Sequence, residues 1–281
     1  MPTTETPLLQ AHEVGVRFAV RGGWWQPAQY VHAVRQVSFE LAAGETLAVV
    51  GESGSGKTTL ARALMGLVPV HEGHFVFAGQ RIQADQPQAW RELRRQVQMV
   101  FQDPFESIDA RRTVLQTVVE SLVSAGVAGS ALEHEQIALR ALESVGLLPA
   151  ASVGARFAHE LSGGQRQRVA IAAAMVLSPK VLVADEPVSM LDVSLRAGVL
   201  RLIADLTKTG VGCLFITHDL SLAWMFADRI AVLYLGRIVE EGPAESVIAA
   251  PKHPYTRALV SVIPGPHREA THKPEIGRAH V

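Results

Sequence analysis

The apolar positions of this 281-residue chain fall into two kinds of pattern. Four short runs are apolar almost throughout: Thr46 to Val50, Val97 to Phe101, a stretch opening at Val181 and another opening at Cys213. Runs of this kind read as buried strands, and the one opening at Val181 as a central parallel strand covered on both faces. Residues 8 to 50 and about 74 to 82 alternate in a strand-like way and predict an antiparallel sheet, with "VSFEL" as one strand. Between 103 and about 166 the spacing turns helical. "TVLQTVVESLVSAG" and "EHEQIALRALESVGL" read as helices, with Gly126 and Gly146 as their stops. From 169 to 230 helix and strand alternate as in a parallel sheet. "IAVLYLGRIVEEG" reads as a hairpin turning at Gly236, and Pro251 to Pro264 as an amphipathic helix started by proline. Residues 267 to 281 read as loosely structured.

Two glycine loops sit at the ends of these elements. The first, "GESGSGKTT" (Gly51 to Thr59), follows the run Thr46 to Val50 and precedes a helix predicted from Thr59 to Leu67. It fits G-x-x-x-x-G-K-[ST] in the strand-loop-helix context that the pattern requires. Gly51, Gly54 and Gly56 free the backbone to point N–H groups inward at a helix N-terminus, where phosphates bind. Lys57 adds a point charge for the β- and γ-phosphates, and Thr58 a hydroxyl for Mg²⁺. The second loop, "LSGGQ" (Leu161, Ser162, Gly163, Gly164, Gln165), runs into the alanine-rich "VAIAAAMVL", with Ser162 as the expected N-cap. Its helix start also favours an anion, but it carries no lysine. A single chain rarely needs two such ends for one triphosphate; a head-to-tail pair of chains would use one from each.

Carboxylates end the third apolar run. Asp185, at the C-terminal end of a central strand, is placed to hold Mg²⁺ directly or through water. Glu186 is placed to polarise an attacking water. His218 ends the strand predicted over Cys213 to Asp219, and Gln102 follows the run Val97 to Phe101.

Together these motifs resemble the ATP-binding subunit of an ATP-binding cassette (ABC) transporter, and more narrowly the peptide/nickel importer branch, over about residues 8 to 264. The resemblance implies an α/β fold: a P-loop NTPase (RecA-like) core, an N-terminal antiparallel β subdomain and an inserted helical subdomain at about 103–166. It implies a cassette domain over 8–250 and an extension over 251–281 marked by "HPYTRAL". The nucleotide would be held by Gly51, Glu52, Ser53, Gly54, Ser55, Gly56, Lys57, Thr58 and Thr59. Thr58, Gln102 and Asp185 would serve the metal. Gln102 would be the Q-loop glutamine, touching Mg²⁺ or the water. His218 would be the switch histidine, contacting the γ-phosphate and orienting Glu186 or the water. Asp192, in "SMLD", would be the D-loop residue at the dimer interface, with Met190 before Leu191 where the family usually has alanine. Phe18 matches the adenine-stacking aromatic, with Tyr30 as the second candidate. The implied partners are a second ABC subunit, identical or paralogous, two membrane permeases and, indirectly, a periplasmic or extracellular solute-binding protein. The implied place is peripheral, on the cytoplasmic face of the bacterial inner membrane. ATP and Mg²⁺ are the implied cofactors.

Composition narrows the alternatives. A net charge of −1 leaves no electrostatic footprint for bulk nucleic-acid binding. The basic cluster Arg91, Arg94 and Arg95 reads as a solvated helix face or, more sharply, a contact beside the Q-loop. The one cysteine, Cys213, excludes an internal disulfide, fits a reducing cytosol and reads as a buried, inert thiol. Many members of this branch carry cysteines for an iron–sulfur cluster beyond the "HPYTRAL" stretch; none stands there, so no cluster is expected. "MPTTETPLLQ" lacks the features of a signal peptide. No apolar run approaches the roughly 20 residues of a membrane helix. A soluble cassette ATPase acting on DNA or ribosomes and an ATP sensor that does not hydrolyse are the competing readings. The first usually has two cassettes or a coiled-coil insert; the second conflicts with intact Lys57, Asp185, Glu186 and His218.

Overall fold

The computed structural model describes residues 7–20, 29–82, 86–103 and 108–263. The predicted loose tail at 267–281 lies outside them. The chain separates into two compact units, one formed by Met1–Arg91 with Gly212–Val281, the other by Glu92–Val211.

The first unit opens with β1 (Leu9–Val20) and β2 (Gln29–Leu41), which pair antiparallel. After β3 (Thr46–Val50) and α1 (Lys57–Leu64) come β4 (Glu72–Phe77) and β5 (Gln80–Ile82). The antiparallel sheet runs β2-β1-β4-β5, as the alternation predicted. That expectation extended to residue 50, and here the structure differs. Every residue of β3 is buried. It carries no polar face to turn to water, so it sits inside a parallel sheet instead. α1 begins at Lys57, two residues before the expected Thr59, because the lysine and threonine after the loop already take helical geometry. α2 (Pro87–Gln96) leads into the second unit.

In the second unit β6 (Val97–Val100) is followed by the predicted helices α3 (Val114–Ser124) and α4 (Ala131–Ser144). Both start with reciprocal capping boxes, Thr113 with Gln116 and Ser130 with Glu133. Both stop where Gly126 and Gly146 take positive φ. The short α5 (Ala150–Gly154) and a 3₁₀ turn at Ala158–Glu160 were not foreseen, being shorter than any period can reveal. Arg91, Arg94 and Arg95 are exposed, as a solvated helix face requires, but Arg95 also has a partner. Its guanidinium donates from Nε to the Ala125 carbonyl at 2.8 Å, capping the end of α3. The unit continues with α6 (Gly163–Met175), β7 (Val181–Asp185) and α7 (Val193–Lys208), and β6 pairs parallel with β7.

The chain returns to the first unit with β8 (Gly212–Thr217), α8 (Leu220–Phe226), β9 (Arg229–Tyr234), β10 (Arg237–Pro243), α9 (Ala244–Ala249) and α10 (Pro254–Ser261). β3 lies between β8 and β9 and runs parallel to both; β10 folds back on β9 through the predicted turn at Gly236, φ 80°. Cys213 is fully buried, and burial, with the nearby Asp228, pushes its thiol far above the usual range. Because Leu47 of β3 is fully buried between two parallel neighbours, Leu47→Ala should cost about 2–5 kcal/mol in urea unfolding; a loss under about 1 kcal/mol would contradict this packing.

Candidate functional site

The first glycine loop lies between β3 and α1, and its shape is set by what crowds it. A Cβ on Gly51 would stand 2.2 Å from the Leu233 carbonyl oxygen, and one on Gly56 would stand 2.2 Å from that of Ala33. Gly56 also takes φ 109° and Gly54 φ 81°. Gly54 and Gly56 thus need glycine's backbone freedom, as expected, while Gly51 is glycine because β9 passes too close for a side chain. Lys57 is only 6% exposed. Its ammonium donates to the Gly51 carbonyl at 2.7 Å and the Glu52 carbonyl at 2.9 Å. The Ser55 carbonyl accepts from Gly236 N–H at 3.0 Å. The Ser55 hydroxyl is buried with no hydrogen-bond partner. A buried ammonium in a glycine loop too crowded for side chains, at a helix N-terminus, fits a phosphate. Glu52, Ser53 and Gly54 are exposed; Thr58 and Thr59 stand half-buried in the first turn of α1.

The same unit holds both adenine candidates. Phe18 pairs with Val31 and Tyr30 with Ala19, so they point to opposite faces of the β1–β2 ladder. Phe18 is 44% exposed and Tyr30 47%, but the Arg17 guanidinium stands 4.5 Å from the centre of the Tyr30 ring. One face of Tyr30 is therefore covered by a cation. His218 lies one residue beyond β8 and is exposed; the strand ends at Thr217, earlier than expected. Asp219 caps α8 by accepting from Ser221 N–H and Leu222 N–H.

The second unit brings three other predicted residues to one strand end. Asp185 closes β7 and is 3% exposed. Glu186 follows with φ 47°, a left-handed conformation that is strained for glutamate and held by a turn in which Ser189 donates to the Glu186 carbonyl. Gln102 donates from Nε2 to Glu186 Oε2 at 3.0 Å.

The second glycine loop starts α6. Ser162 accepts from Gln165 N–H at 3.3 Å while Gln165 Oε1 accepts from Ser162 N–H at 3.0 Å. The loop's glycines also have a role inside the chain that the sequence did not disclose. Cβ atoms on Gly163 and Gly164 would meet Leu191 at 3.3 Å and Leu195 at 3.1 Å. These leucines flank Asp192, which caps α7 by accepting from Leu195 N–H at 3.0 Å and from the Ser194 hydroxyl at 2.7 Å. The Ser194 hydroxyl, then the Leu195 N–H, hold the Asp192 carboxyl below the usual range. Met190 is well exposed beside it. Tyr255 was missed as well: its hydroxyl meets Glu52 N–H at 3.0 Å. The sequence offered only the "HPYTRAL" stretch, with no sign of where its helix docks.

A lysine-closed glycine loop, a strand ending in Asp-Glu and a capped Ser-Gly-Gly helix start define an ATP-binding cassette. The chain belongs to the ABC transporter family, whose sequence model matches residues 34–189. A second match, to the C-terminal region of oligopeptide/dipeptide transporters, covers residues 239–280 and bears out the branch read from "HPYTRAL". Among known proteins, the chain is 46% identical over 263 residues to the glutathione import ATP-binding protein GsiA of Escherichia coli (strain K12). That alignment covers 92% of this chain and 41% of the relative; GsiA of Shigella boydii serotype 4 matches to the same extent. The chain thus spans about two-fifths of the length of the curated relatives it matches. Of solved structures, cbiO1 of Clostridium perfringens, described as part of the ABC transporter complex cbiONQ, aligns with TM-score 0.73 and 27% identity, covering 88% of this chain and 92% of that one. The dimeric cassette MJ0796 bound to ADP and Pi aligns with TM-score 0.73 and 27% identity, covering 84% of this chain and 98% of that one. These likenesses bear out the expected P-loop fold. No described helix is long and apolar enough to cross a membrane.

The two positive-φ loop glycines differ in surroundings, since nothing lies within 4 Å of a Cβ on Gly54. Gly54→Ala should cost only its backbone strain, about 1 kcal/mol, and Gly56→Ala clearly more in thermal unfolding. Equal costs would contradict the loop geometry.

Proposed function

We propose that the chain is the ATP-binding and ATP-hydrolysing subunit of an ABC importer. It would energise uptake of peptides, or of a related small solute such as nickel, across the cytoplasmic membrane. The observation that carries this reading is the glycine loop closed by Lys57, with its buried ammonium at the start of α1. The relatives' printed role in importing glutathione, itself a small peptide, supports a peptide cargo. The cassette would occupy residues 8–250, with the extension at 251–281.

In this reading residues 51–59 hold the triphosphate, and Phe18 stacks on the adenine; the cation over Tyr30 favours Phe18. Leu161 to Gln165 of a partner cassette, an identical chain or a paralogue, meet the γ-phosphate from the other side, and Asp192 lies at that interface. Thr58, Asp185 and Gln102 are the residues that would hold Mg²⁺, an ion commonly bound through few protein oxygens plus substrate phosphates. When bound, Mg²⁺ supplies positive charge to the β- and γ-phosphate oxygens. Glu186 accepts a proton from the attacking water, and the Gln102 amide, donating to one of its oxygens, restrains the carboxylate. His218 orients Glu186 or the water. Catalysis is then mostly positioning and charge stabilisation of the transferring phosphoryl group. Closure of two cassettes would move the helical subdomains against two permeases at the cytoplasmic face, while a solute-binding protein delivers cargo from outside.

Glu186→Gln keeps an amide of the same shape but removes the base. In the assembled transporter it should abolish ATP turnover, by at least about 10²-fold, while MgATP binding by equilibrium titration persists. Hydrolysis at the unaltered rate would remove Glu186 from this role.

A further inference from the structure

The "HPYTRAL" stretch has no part in the scheme above, yet its docking leads straight to the phosphate loop. Glu240 of β10 accepts Lys252 N–H at 2.8 Å with one carboxylate oxygen and His253 N–H at 2.9 Å with the other. His253 Nδ1 caps α10 by accepting from Tyr255 N–H at 3.2 Å, and Arg257 Nε donates back to the Pro251 carbonyl at 3.0 Å. Burial alone would raise the Glu240 carboxyl, but the N–H groups of His253 and Lys252 outweigh it and hold it below the usual range. The start of α10 is therefore fixed to the β9–β10 hairpin.

That anchoring aims Tyr255. Its ring packs on Tyr234, at the end of β9, with centroids 4.2 Å apart. Its hydroxyl accepts from Glu52 N–H at 3.0 Å. Burial pushes the Tyr255 phenol above its ordinary value. The Glu52 N–H and the Gly51 carbonyl belong to one planar peptide unit, and the Gly51 carbonyl accepts the Lys57 ammonium at 2.7 Å. One rigid plane thus joins the phenol on one edge to the catalytic-loop ammonium on the other. Hydrogen bonds in such a chain reinforce one another.

We propose that Tyr255 is a positioning residue: through the Gly51–Glu52 peptide it fixes where the Lys57 ammonium stands, so that the C-terminal helix sets the affinity of the phosphate loop for ATP. The gain is preorganisation, because a loop already held in shape loses less freedom when the triphosphate arrives. The proposal rests on the reading of residues 51–59 as the ATP site.

The test is Tyr255→Phe in the full chain, which removes the hydroxyl and keeps the ring on Tyr234. The Kd for MgATP should rise about two- to tenfold, the range of one net hydrogen bond. In the assembled transporter KM for ATP should rise similarly, with kcat at saturating ATP changing less than KM. Amide exchange should quicken in the peptide containing Glu52 and stay the same in a peptide from β7. A tyrosine that serves packing alone predicts unchanged Kd, KM and exchange; that result, or tighter MgATP binding, overturns the proposal. If the unaltered chain binds MgATP without hydrolysing it, the hydrolytic reading fails while Kd and exchange still decide on Tyr255. If the unaltered chain binds no MgATP, both readings fall.

Discussion

A lysine ammonium buried in a glycine loop is the constraint around which the first unit is arranged. A buried cation is costly unless polar groups surround it. Lys57 meets the carbonyls of Gly51 and Glu52, which bends the loop into a ring around its own side chain. The ring closes only because neighbouring strands come close. The Leu233 carbonyl excludes a side chain at residue 51, and the Ala33 carbonyl excludes one at residue 56. The hairpin turn at Gly236 holds the Ser55 carbonyl. Loop, sheet and hairpin are one construction.

The second unit meets the opposite electrostatic demand. Asp185 ends a fully buried strand, and the chain turns sharply through a strained Glu186 that takes the Gln102 amide. The Ser-Gly-Gly loop is packed onto Leu191 and Leu195, on either side of Asp192. The glycines let the Ser-Gly-Gly loop and the Asp192 segment come close inside one chain. A displacement of one segment must therefore be felt by the other, since close-packed contacts of this kind have little slack.

The parallel strands were legible because they are apolar on both faces, and the helices α3 and α4 because period and stop glycines agreed. The placement of Lys57, Asp185, Glu186 and Ser162 at the ends of strands and helices could be read from motif and context. What could not be read was contact across long sequence separations. Tyr255 lies 203 residues from Glu52, and no local pattern couples them. Arg95 reads as a surface charge until the end of α3 is brought to it. The placement of β3 was half visible: its burial was clear, but it was grouped with the alternating segment before it and so with the antiparallel sheet.

In the proposed function the Lys57 loop grips the terminal phosphate of ATP opposite the Leu161–Gln165 signature loop of another cassette. Orthovanadate takes the place of that phosphate and, under ultraviolet light, cuts the backbone next to it. In the assembled transporter trapped with MgADP and vanadate, mass spectrometry should find cuts within residues 51–58 and within the signature loop, residues 161–165 when the partner is an identical chain. An intact Lys57 loop in a preparation that vanadate has inhibited would contradict the account.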